Sequence, residues 1–224
     1  MQPLVLAVPP KLHAAGVRAL SAGLEAAAHA SVVVLAGEPG RFCIGMDFDE
    51  VAGDDTAAKL ARFAHLLGAL ARCPRPTLAV IDGPALGGGL GLAALCDYVI
   101  ATERATFALP EALYGLAPAI IRPALRTRLS PQHLRMLVLT GHARDALEAL
   151  RFGLCDEVVP VDALARAQRT VIRQLARART TSVIALRRWH DLGPELAAGV
   201  DETAAALADP AVLAALRAEV PWQT

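Results

Sequence analysis

The sequence predicts an α/β fold that is followed by a mainly helical C-terminal region. Hydrophobic residues make up 54% of the 224 residues and charged residues 20%, so the chain can bury a large core and is not intrinsically disordered. Short β-branched runs alternate with segments of helical periodicity up to about residue 118. Beyond that point the pattern is helical apart from one short strand. The length fits a single domain.

Each element follows from its local pattern. The first strand is the apolar run at 3–8, which Pro9 and Pro10 end, and an alanine-rich helix is predicted at 13–29. The runs at 31–37 and 76–81 are short and apolar, which is typical of buried strands. The other predicted elements are a loop at 38–47, helices at 56–72 and near 88–95, strands at 98–102 and 105–109, a short strand near 156–161, and a helix at about 162–179. Strands that alternate with helices are expected to pair in parallel through right-handed crossovers.

The net charge is zero in total but unevenly distributed along the chain. The balance of 22 basic and 22 acidic residues argues against a wholly basic nucleic-acid binder, and 4% aromatic residues argue against base stacking. Residues 122–190 contain thirteen arginines and five acidic residues, a net charge of +8. The flanks are acidic: residues 1–121 contain eight basic and eleven acidic side chains, and residues 191–224 contain one and six.

The cysteines and the apolar segments indicate a cytoplasmic protein without a metal site or a membrane partner. The cysteines are scattered, with no C-x-x-C pair, which excludes a zinc ribbon and favours a reducing compartment. The N-terminal apolar run has no preceding basic region, so we read it as a strand and not as a signal peptide. The most apolar stretch, at 77–101, is interrupted by Asp82, Asp97 and glycines, which a membrane helix would not contain.

A glycine-rich turn, DGPALGGGLGLAAL, follows a predicted strand and opens a helix. It does not match the dinucleotide-binding fingerprint, because Leu92 occupies the position of the third glycine, and the chain contains no phosphate-binding GxxxxGK[ST] loop. One interpretation is a tight turn packed against a neighbouring element. The other is a set of free backbone amides that stabilise a developing oxyanion. A second glycine loop, RFCIGMDF, could supply another such amide.

These two loops resemble those of the crotonase superfamily, the enoyl-CoA hydratases and isomerases. The segments VVVLAGEPGRFCIGMDF and PTLAVIDGPALGGGLGLAALCDYVIATERATFALPEALYGLAP preserve the order and spacing of that family over roughly residues 31–160. The resemblance implies a crotonase-like spiral of ββα turns at 1–160 and a C-terminal helical region at 161–224, part of the same unit, that serves in trimerisation or as an active-site cover. It also implies a homotrimer or a dimer of trimers.

The resemblance assigns roles to four positions. The oxyanion amides would be those of Met46 and Gly88, and the substrate would be an acyl thioester whose enolate they hold. Hydratases of the family use two glutamates. The first would fall at Gly91 and is missing, whereas the second falls at Glu111 and is present. A single carboxyl group at Glu111 can still remove the α-proton and return a proton to a departing β-hydroxyl on the same face.

The segment YGLAPAIIRPALRTRL is most similar to the dehydratase subgroup of polyketide β-branching cassettes. This resemblance implies dehydration of a 3-hydroxy-3-methylglutaryl group on an acyl carrier protein, with no metal or redox cofactor. The substrate's free carboxylate would need a cation or an amide donor nearby. The alternatives are another crotonase activity on CoA thioesters, such as hydration, isomerisation or decarboxylation, or a non-catalytic thioester-binding subunit.

Further candidates have both a functional and a structural interpretation. His65 lies one residue from the position where some relatives place a catalytic side chain, so it is either a pocket residue or a packed or surface histidine. Tyr114 could reach the pocket or lie in the core. The helical spacing places four arginines on one face, which is either a solvated or subunit interface or a docking surface for the carrier protein or the CoA phosphates. These arginines are Arg166, Arg169, Arg173 and Arg177.

Overall fold

The computed structural model describes residues 1–188 and 192–218. Within these residues the strands are β1 (Leu4–Ala7), β2 (Val33–Ala36), β3 (Thr77–Ile81), β4 (Pro84–Leu86), β5 (Tyr98–Thr102), β6 (Thr106–Ala108), β7 (Arg144–Asp145) and β8 (Glu157–Val159). The α-helices are α1 (Ala14–Glu25), α2 (Phe48–Val51), α3 (Thr56–Ala71), α4 (Gly88–Ala94), α5 (Arg122–Leu125), α6 (Pro131–Thr140), α7 (Ala146–Phe152), α8 (Leu164–Leu175), α9 (Thr180–Arg187), α10 (Gly193–Leu207) and α11 (Pro210–Arg217). Short 3₁₀ helices span Ala26–His29, Pro110–Tyr114 and Val161–Ala163.

The main sheet is parallel, which confirms the predicted pairing. Over the described ranges its strand order is β1-β2-β3-β5-β8. Successive side chains of a strand point to opposite faces, and both faces of this sheet are buried. Leu35 and Ala79 pack with α1 and α3 on one face, whereas Val34 and Val80 pack with α8 on the other. The two faces therefore belong to separate apolar layers.

A smaller second sheet has three strands in the described residues, of which the sequence predicts only β6. In the described part of the chain its order is β4-β6-β7, with β4 parallel to β6 and β7 antiparallel to it. Strand β3 in the main sheet leads into β4 in the small sheet and then into α4, which is the ββα unit of the predicted spiral. Strands β4 and β7 were missed because segments of two or three residues show no periodicity and form only by pairing with β6.

Two predicted helix ends differ from the structure. The helix predicted at 13–29 is α-helical only to Glu25 and continues as a 3₁₀ turn. Its start is capped by His13, whose Nδ1 accepts a hydrogen bond from the Gly16 amide at 3.1 Å. The helix predicted at about 162–179 ends at Leu175. The alanine and arginine residues that follow are good helix formers, so sequence propensity alone does not mark this end.

The C-terminal helices fold back onto the core. Helix α10 packs against α3. At the end of α9, the Arg187 guanidinium donates two hydrogen bonds of 2.6 Å to the Asp97 carboxylate, and the same carboxylate accepts a hydrogen bond from the Thr77 amide. Asp97 therefore links the end of α9 to the start of β3. No helix among the described residues is long and apolar enough to cross a membrane.

Candidate active site

Two glycine loops meet at one end of the main sheet. In the first loop, the Gly45 carbonyl accepts a hydrogen bond from the Leu12 amide at 2.8 Å. The second loop begins at Leu86, whose amide donates to the Cys43 carbonyl at 2.8 Å. A Cβ atom on Gly45 would lie 3.4 Å from the Gly88 nitrogen, so the backbones of the two loops are in contact. The expectation that separate loops approach each other is therefore confirmed for their backbones.

The amides of Met46 and Gly88 are available to a ligand. Leu12 and Met46 form a parallel β-bridge. The Leu12 amide donates to the Gly45 carbonyl and the Leu12 carbonyl accepts from the Asp47 amide, so the N–H group of Met46, between these two residues, is directed away from Leu12. Gly88 is the first residue of α4, where an amide has no acceptor within its own helix. Across residues 1–188 and 192–218, neither amide donates a hydrogen bond to another backbone group.

Glu111 lies beside the second loop. It follows β6 at the start of the 3₁₀ helix Pro110–Tyr114, which Gly115 ends with a φ of +80°. A Cβ atom on Gly87 would lie 2.9 Å from Glu111 Oε1, and Gly87 has a φ of +48°, so both space and backbone conformation require glycine there. The carboxyl group consequently sits directly over the backbone that leads into the Gly88 amide.

The environment of Glu111 favours its neutral form. Oε2 is buried and has no hydrogen-bond partner among the described residues. Burial removes the carboxyl group from water and raises its pKa from 4.5 to about 7, while a hydrogen bond from the residue's own backbone amide opposes the shift. A group with this pKa is present in both protonation states near neutral pH, which suits one side chain that acts as base and then as acid.

The cavity that contains these groups is narrow and apolar. Its volume is about 70 Å³. Its polar side chains, within the described residues, are those of Glu111, Tyr114 and Thr203. The other residues that line it are Ile44, Gly45, Met46, Phe48, Phe63, Gly87, Gly88, Pro110, Leu116, Ala117, Pro118, Ala119, Ile120 and Ile121. Glu111 is the one carboxylic acid of this lining, and no lysine, arginine or histidine of the described chain lines it.

Not all of the predicted site residues lie at the cavity. Met46, Gly88, Glu111 and Tyr114 all line the cavity. His65 does not: its side chain is exposed on α3, and Phe63 is the residue of that helix that reaches the cavity. The assignment of His65 to the substrate pocket is therefore wrong, because a helix turns each successive side chain by about 100°. The alternative interpretation, a surface histidine, is the correct one.

Gly91, which its place in the family pattern also makes a possible substrate-pocket residue, is not part of the described cavity wall. A Cβ atom on Gly91 would lie 2.5 Å from Ile121 Cγ2, so the Ile121 side chain occupies the space in front of it. Ile121 itself lines the cavity. The position that a first glutamate would take is thus filled by an apolar side chain from the segment after Glu111.

We expect Gly91→Ala to destabilise the protein by about 1–3 kcal/mol, because the added methyl group overlaps with Ile121 in a closely packed region. Unfolding by urea measures this change. Gly91→Ala should cost less in an Ile121→Ala background than in the wild type, since Ile121→Ala removes Cγ2, the atom nearest to the added methyl group, and leaves only Cβ at 2.8 Å. An equal cost of Gly91→Ala in the two backgrounds would show that the Ile121 side chain beyond Cβ is not the cause.

The four arginines of the predicted docking face are exposed, as both interpretations required. Three of them lie on α8, whereas Arg177 follows its last residue, Leu175. Helix α8 covers the face of the main sheet opposite to α3, and Phe63 of α3 lines the cavity. The arginines are therefore on the other side of the sheet from Glu111. Docking of a carrier protein at this face stays a prediction.

Among the residues of the cavity wall that sequence reasoning missed are Phe63, Ile121 and Thr203. Phe63 and Ile121 are ordinary core residues in sequence, and nothing local distinguishes them. Thr203 lies in α10, in a region for which the sequence predicted only helices. The one sequence signal for Thr203 was that it is a single polar side chain on an otherwise apolar helix face.

The fold and the site define the class of this protein. A ββα spiral, two adjacent glycine loops with inward amides and a half-buried glutamic acid whose Oε2 is buried form the arrangement of the crotonase fold. The sequence model described as enoyl-CoA hydratase/isomerase matches residues 11–201. The chain belongs to the enoyl-CoA hydratase/isomerase family.

Curated relatives match the chain over part of their length. A Mycobacterium bovis protein named "Probable enoyl-CoA hydratase echA8" is 40% identical over 149 residues, which are 64% of this chain and 58% of the relative. The carnitinyl-CoA dehydratase of Proteus mirabilis is 34% identical over 172 residues, which are 74% of this chain and 65% of the relative. The chain thus spans less than two thirds of the length of either protein.

Solved structures share the fold over nearly the whole chain. An enoyl-CoA hydratase from Mycobacterium avium has a TM-score of 0.81 at 28% identity, covering 92% of this chain and 84% of that one. A Bacillus subtilis structure, provisionally described as a polyketide biosynthesis enoyl-CoA hydratase (pksH), also has a TM-score of 0.81. It covers 97% of this chain and 94% of its own at 23% identity, and it therefore supports the fold alone.

Proposed function

We propose that this protein removes water from a 3-hydroxyacyl thioester to give the 2-enoyl thioester. The observation that supports the proposal best is the single buried carboxyl group of Glu111, with a pKa raised to about 7 by burial, in a cavity that also presents the Met46 and Gly88 amides. Family membership supports the thioester class of substrate.

In the proposed reaction the Glu111 carboxylate takes the α-proton of the bound thioester. The electron pair of the broken C–H bond moves toward the carbonyl, and the resulting enolate oxygen accepts hydrogen bonds from the Met46 and Gly88 amides. The enolate then re-forms the carbonyl and expels the β-hydroxyl group, which leaves as water with the proton that Glu111 returns. The Glu111 carboxylate is thereby regenerated, so no second acid is required.

The apolar wall contributes to this chemistry by excluding water. A buried carboxylate without a partner is destabilised, so it is a stronger base than in solution. The amides are parts of the folded backbone and need no reorganisation during the reaction. The absence of a glutamate at position 91 argues against the two-carboxylate form of hydration, because Ile121 fills the space that such a side chain would need.

The more specific form of the proposal is a 3-hydroxy-3-methylglutaryl group on an acyl carrier protein. This form rests on the resemblance of residues 114–129 to the dehydratase subgroup of polyketide β-branching cassettes. The free carboxylate of that substrate needs a partner. Arg122 and Arg135 line an exposed groove that shares Ala117, Pro118 and Ala119 with the cavity wall, which makes these two arginines the candidate cations.

Mass spectrometry of an acyl carrier protein that bears the acyl group tests both the general proposal of dehydration and its more specific form. The carrier protein with a 3-hydroxy-3-methylglutaryl group and the matching CoA thioester are each treated with the enzyme. Loss of about 18 Da, one water, is expected. If the CoA thioester loses water and the carrier-bound group does not, the result supports dehydration and contradicts the proposal that the substrate is bound to an acyl carrier protein. Loss of carbon dioxide, or no change in mass on any hydroxyacyl thioester, would contradict dehydration and favour decarboxylation or a non-catalytic binding role.

A further inference from the structure

The hydroxyl group of Thr203 on α10 is buried without a partner. Three polar side chains are buried among the described residues, and Thr203 is one of them, with 9% of its surface exposed. The other two are hydrogen-bonded: Thr77 Oγ1 donates to Asp97, and Thr102 Oγ1 donates to Asp82. Thr203 Oγ1 has no acceptor or donor in the described structure. No other group of the described chain offsets the free-energy cost of its burial.

Thr203 also does not form the bond that helical threonines usually make. A threonine within a helix commonly donates to the carbonyl group four residues earlier. Thr140 does so to the Met136 carbonyl at 2.8 Å, and Thr170 does so to the Arg166 carbonyl at 3.1 Å. Thr203 has no such bond to the Gly199 carbonyl. Its hydroxyl group is thus directed away from its own helix.

Thr203 belongs to the wall of the active-site cavity. Thr203 lines the same space as Glu111, whose Oε2 is also buried and unpartnered. The other unpartnered buried atoms of the described chain, Arg75 Nε and Arg144 Nε, do not line this cavity. The two unpaired oxygens therefore mark one site, and a ligand in the cavity would satisfy both.

Close packing holds Thr203 in place. One turn before it, a Cβ atom on Gly199 would lie 2.6 Å from the Ala119 carbonyl oxygen and 2.8 Å from the Ile120 Cα. Helix α10 is therefore in backbone contact with the segment that forms the cavity wall. A hydroxyl group on such a helix is a rigid hydrogen-bonding group, and it selects ligands more strongly than one on a mobile loop.

We propose that Thr203 is a specificity-determining residue that hydrogen-bonds a hydroxyl group on the acyl chain, beyond the thioester carbonyl. The proposal rests on the proposed function for the orientation of the thioester, whose carbonyl end belongs to the Met46 and Gly88 amides. A neutral hydroxyl group pairs fully with a threonine. A carboxylate would lack a counter-charge, because the described lining of the cavity contains no cation.

This assignment predicts selection against unsubstituted acyl chains. An acyl chain without the hydroxyl group would leave Thr203 Oγ1 unpaired in the complex. A 3-hydroxyacyl chain would satisfy it. Thr203 would thereby favour the substrate of dehydration over saturated acyl thioesters of the same length.

The test measures the affinities of 3-hydroxybutyryl-CoA and butyryl-CoA by titration calorimetry, in a Glu111→Gln background that prevents turnover. Thr203→Val keeps the shape of the side chain and removes the hydroxyl group, and Thr203→Ser keeps the hydroxyl group as the matched control. We expect Thr203→Val to reduce the preference for the hydroxylated ligand by about tenfold, the value of one hydrogen bond, whereas Thr203→Ser keeps it within about threefold. An unchanged preference in Thr203→Val would overturn the assignment.

Thermal unfolding of the unliganded protein provides a second readout. Thr203→Val should leave Tm unchanged or raise it by a few degrees, about what removal of an unpaired buried hydroxyl group is worth in a domain of this size. A clear fall in Tm would show that the hydroxyl group is paired in the free protein and would contradict the proposal.

Failure of this assignment is distinguishable from failure of the proposed function, because binding requires no turnover. A preference that falls in Thr203→Val supports the assignment even if the wild-type protein does not dehydrate the ligand. Dehydration by the wild-type protein together with an unchanged preference in Thr203→Val leaves the function standing and removes Thr203 from it.

Discussion

Replacing Glu111 with glutamine is expected to lower the turnover of a 3-hydroxyacyl thioester by a factor of about 10³ or more, within the range of general acid–base catalysis. Glutamine preserves the shape of the side chain but can neither accept the α-proton nor return it. Glu111 is the one carboxylic acid of the described cavity lining, so no neighbouring acid can replace it. Product formation followed by absorbance of the enoyl thioester measures the effect.

The same variant is expected to be more stable than the wild type at alkaline pH, which separates loss of chemistry from loss of fold. The pKa of Glu111 is about 7 in the folded protein and near 4.5 in the unfolded chain, so the folded state binds the proton more tightly. This contribution is fully present below pH 4.5 and is lost as the pH rises to about 7. Ionisation of the buried carboxyl group then costs roughly 3 kcal/mol.

Unfolding of both proteins in urea between pH 4 and pH 8 checks this sign. The stability of Glu111→Gln relative to the wild type should increase across this interval and level off above pH 7. A difference that stays constant with pH would show that Glu111 is solvated and not desolvated. Near-normal turnover in the variant would remove Glu111 from the mechanism altogether.

The substitution of Gly88 by proline should reduce kcat/KM by about 10²- to 10³-fold, since proline has no N–H group and one oxyanion donor is worth roughly 3 kcal/mol. Gly88 is the first residue of α4, where proline is well tolerated. The preceding residue, Gly87, has a ψ of −121°, outside the α region that a following proline disfavours.

Gly88→Ala is the matched control because it adds a side chain and retains the amide. Its Cβ atom would lie 3.0 Å from Leu12 Cδ1 and 3.1 Å from Phe63 Cζ, so the ends of two side chains must move slightly. We expect both variants to share this packing cost, and only the proline variant to lose transition-state stabilisation. Similar activities of the two variants would show that the Gly88 amide does not bind the developing oxyanion.

Much of the site was accessible from sequence because its parts are local. The glycine pattern at 87–89 and the single glycine at 45 are signals for exposed amides, and the resemblance to the crotonase superfamily assigns the acid to Glu111. The parallel order of the strands followed from their alternation with helices. By contrast, β4 and β7 were missed because strands this short exist only through their pairing partners.

The errors have a common physical origin. His65 was a plausible pocket residue by its distance along the chain, but the rotation of α3 directs Phe63 to the cavity and leaves His65 exposed. Gly91 was judged by the family position that it occupies, whereas Ile121 in fact fills the space beside it. In both cases the way in which a helix packs against its neighbours decides the outcome: it directs Phe63 to the cavity, and it brings Ile121 against Gly91.

The sequence by itself determined the fold class and the two glycine loops, because backbone preferences are properties of neighbouring residues, and its resemblance to the crotonase superfamily assigned the acid to Glu111. Only the tertiary structure decided the electrostatics of Glu111, the closure of position 91 by Ile121 and the presence of Thr203 in the cavity wall. These depend on burial and on contacts between distant segments, and side-chain desolvation exists only after the chain has packed. The unpaired hydroxyl group of Thr203 became visible as a functional feature for the same reason.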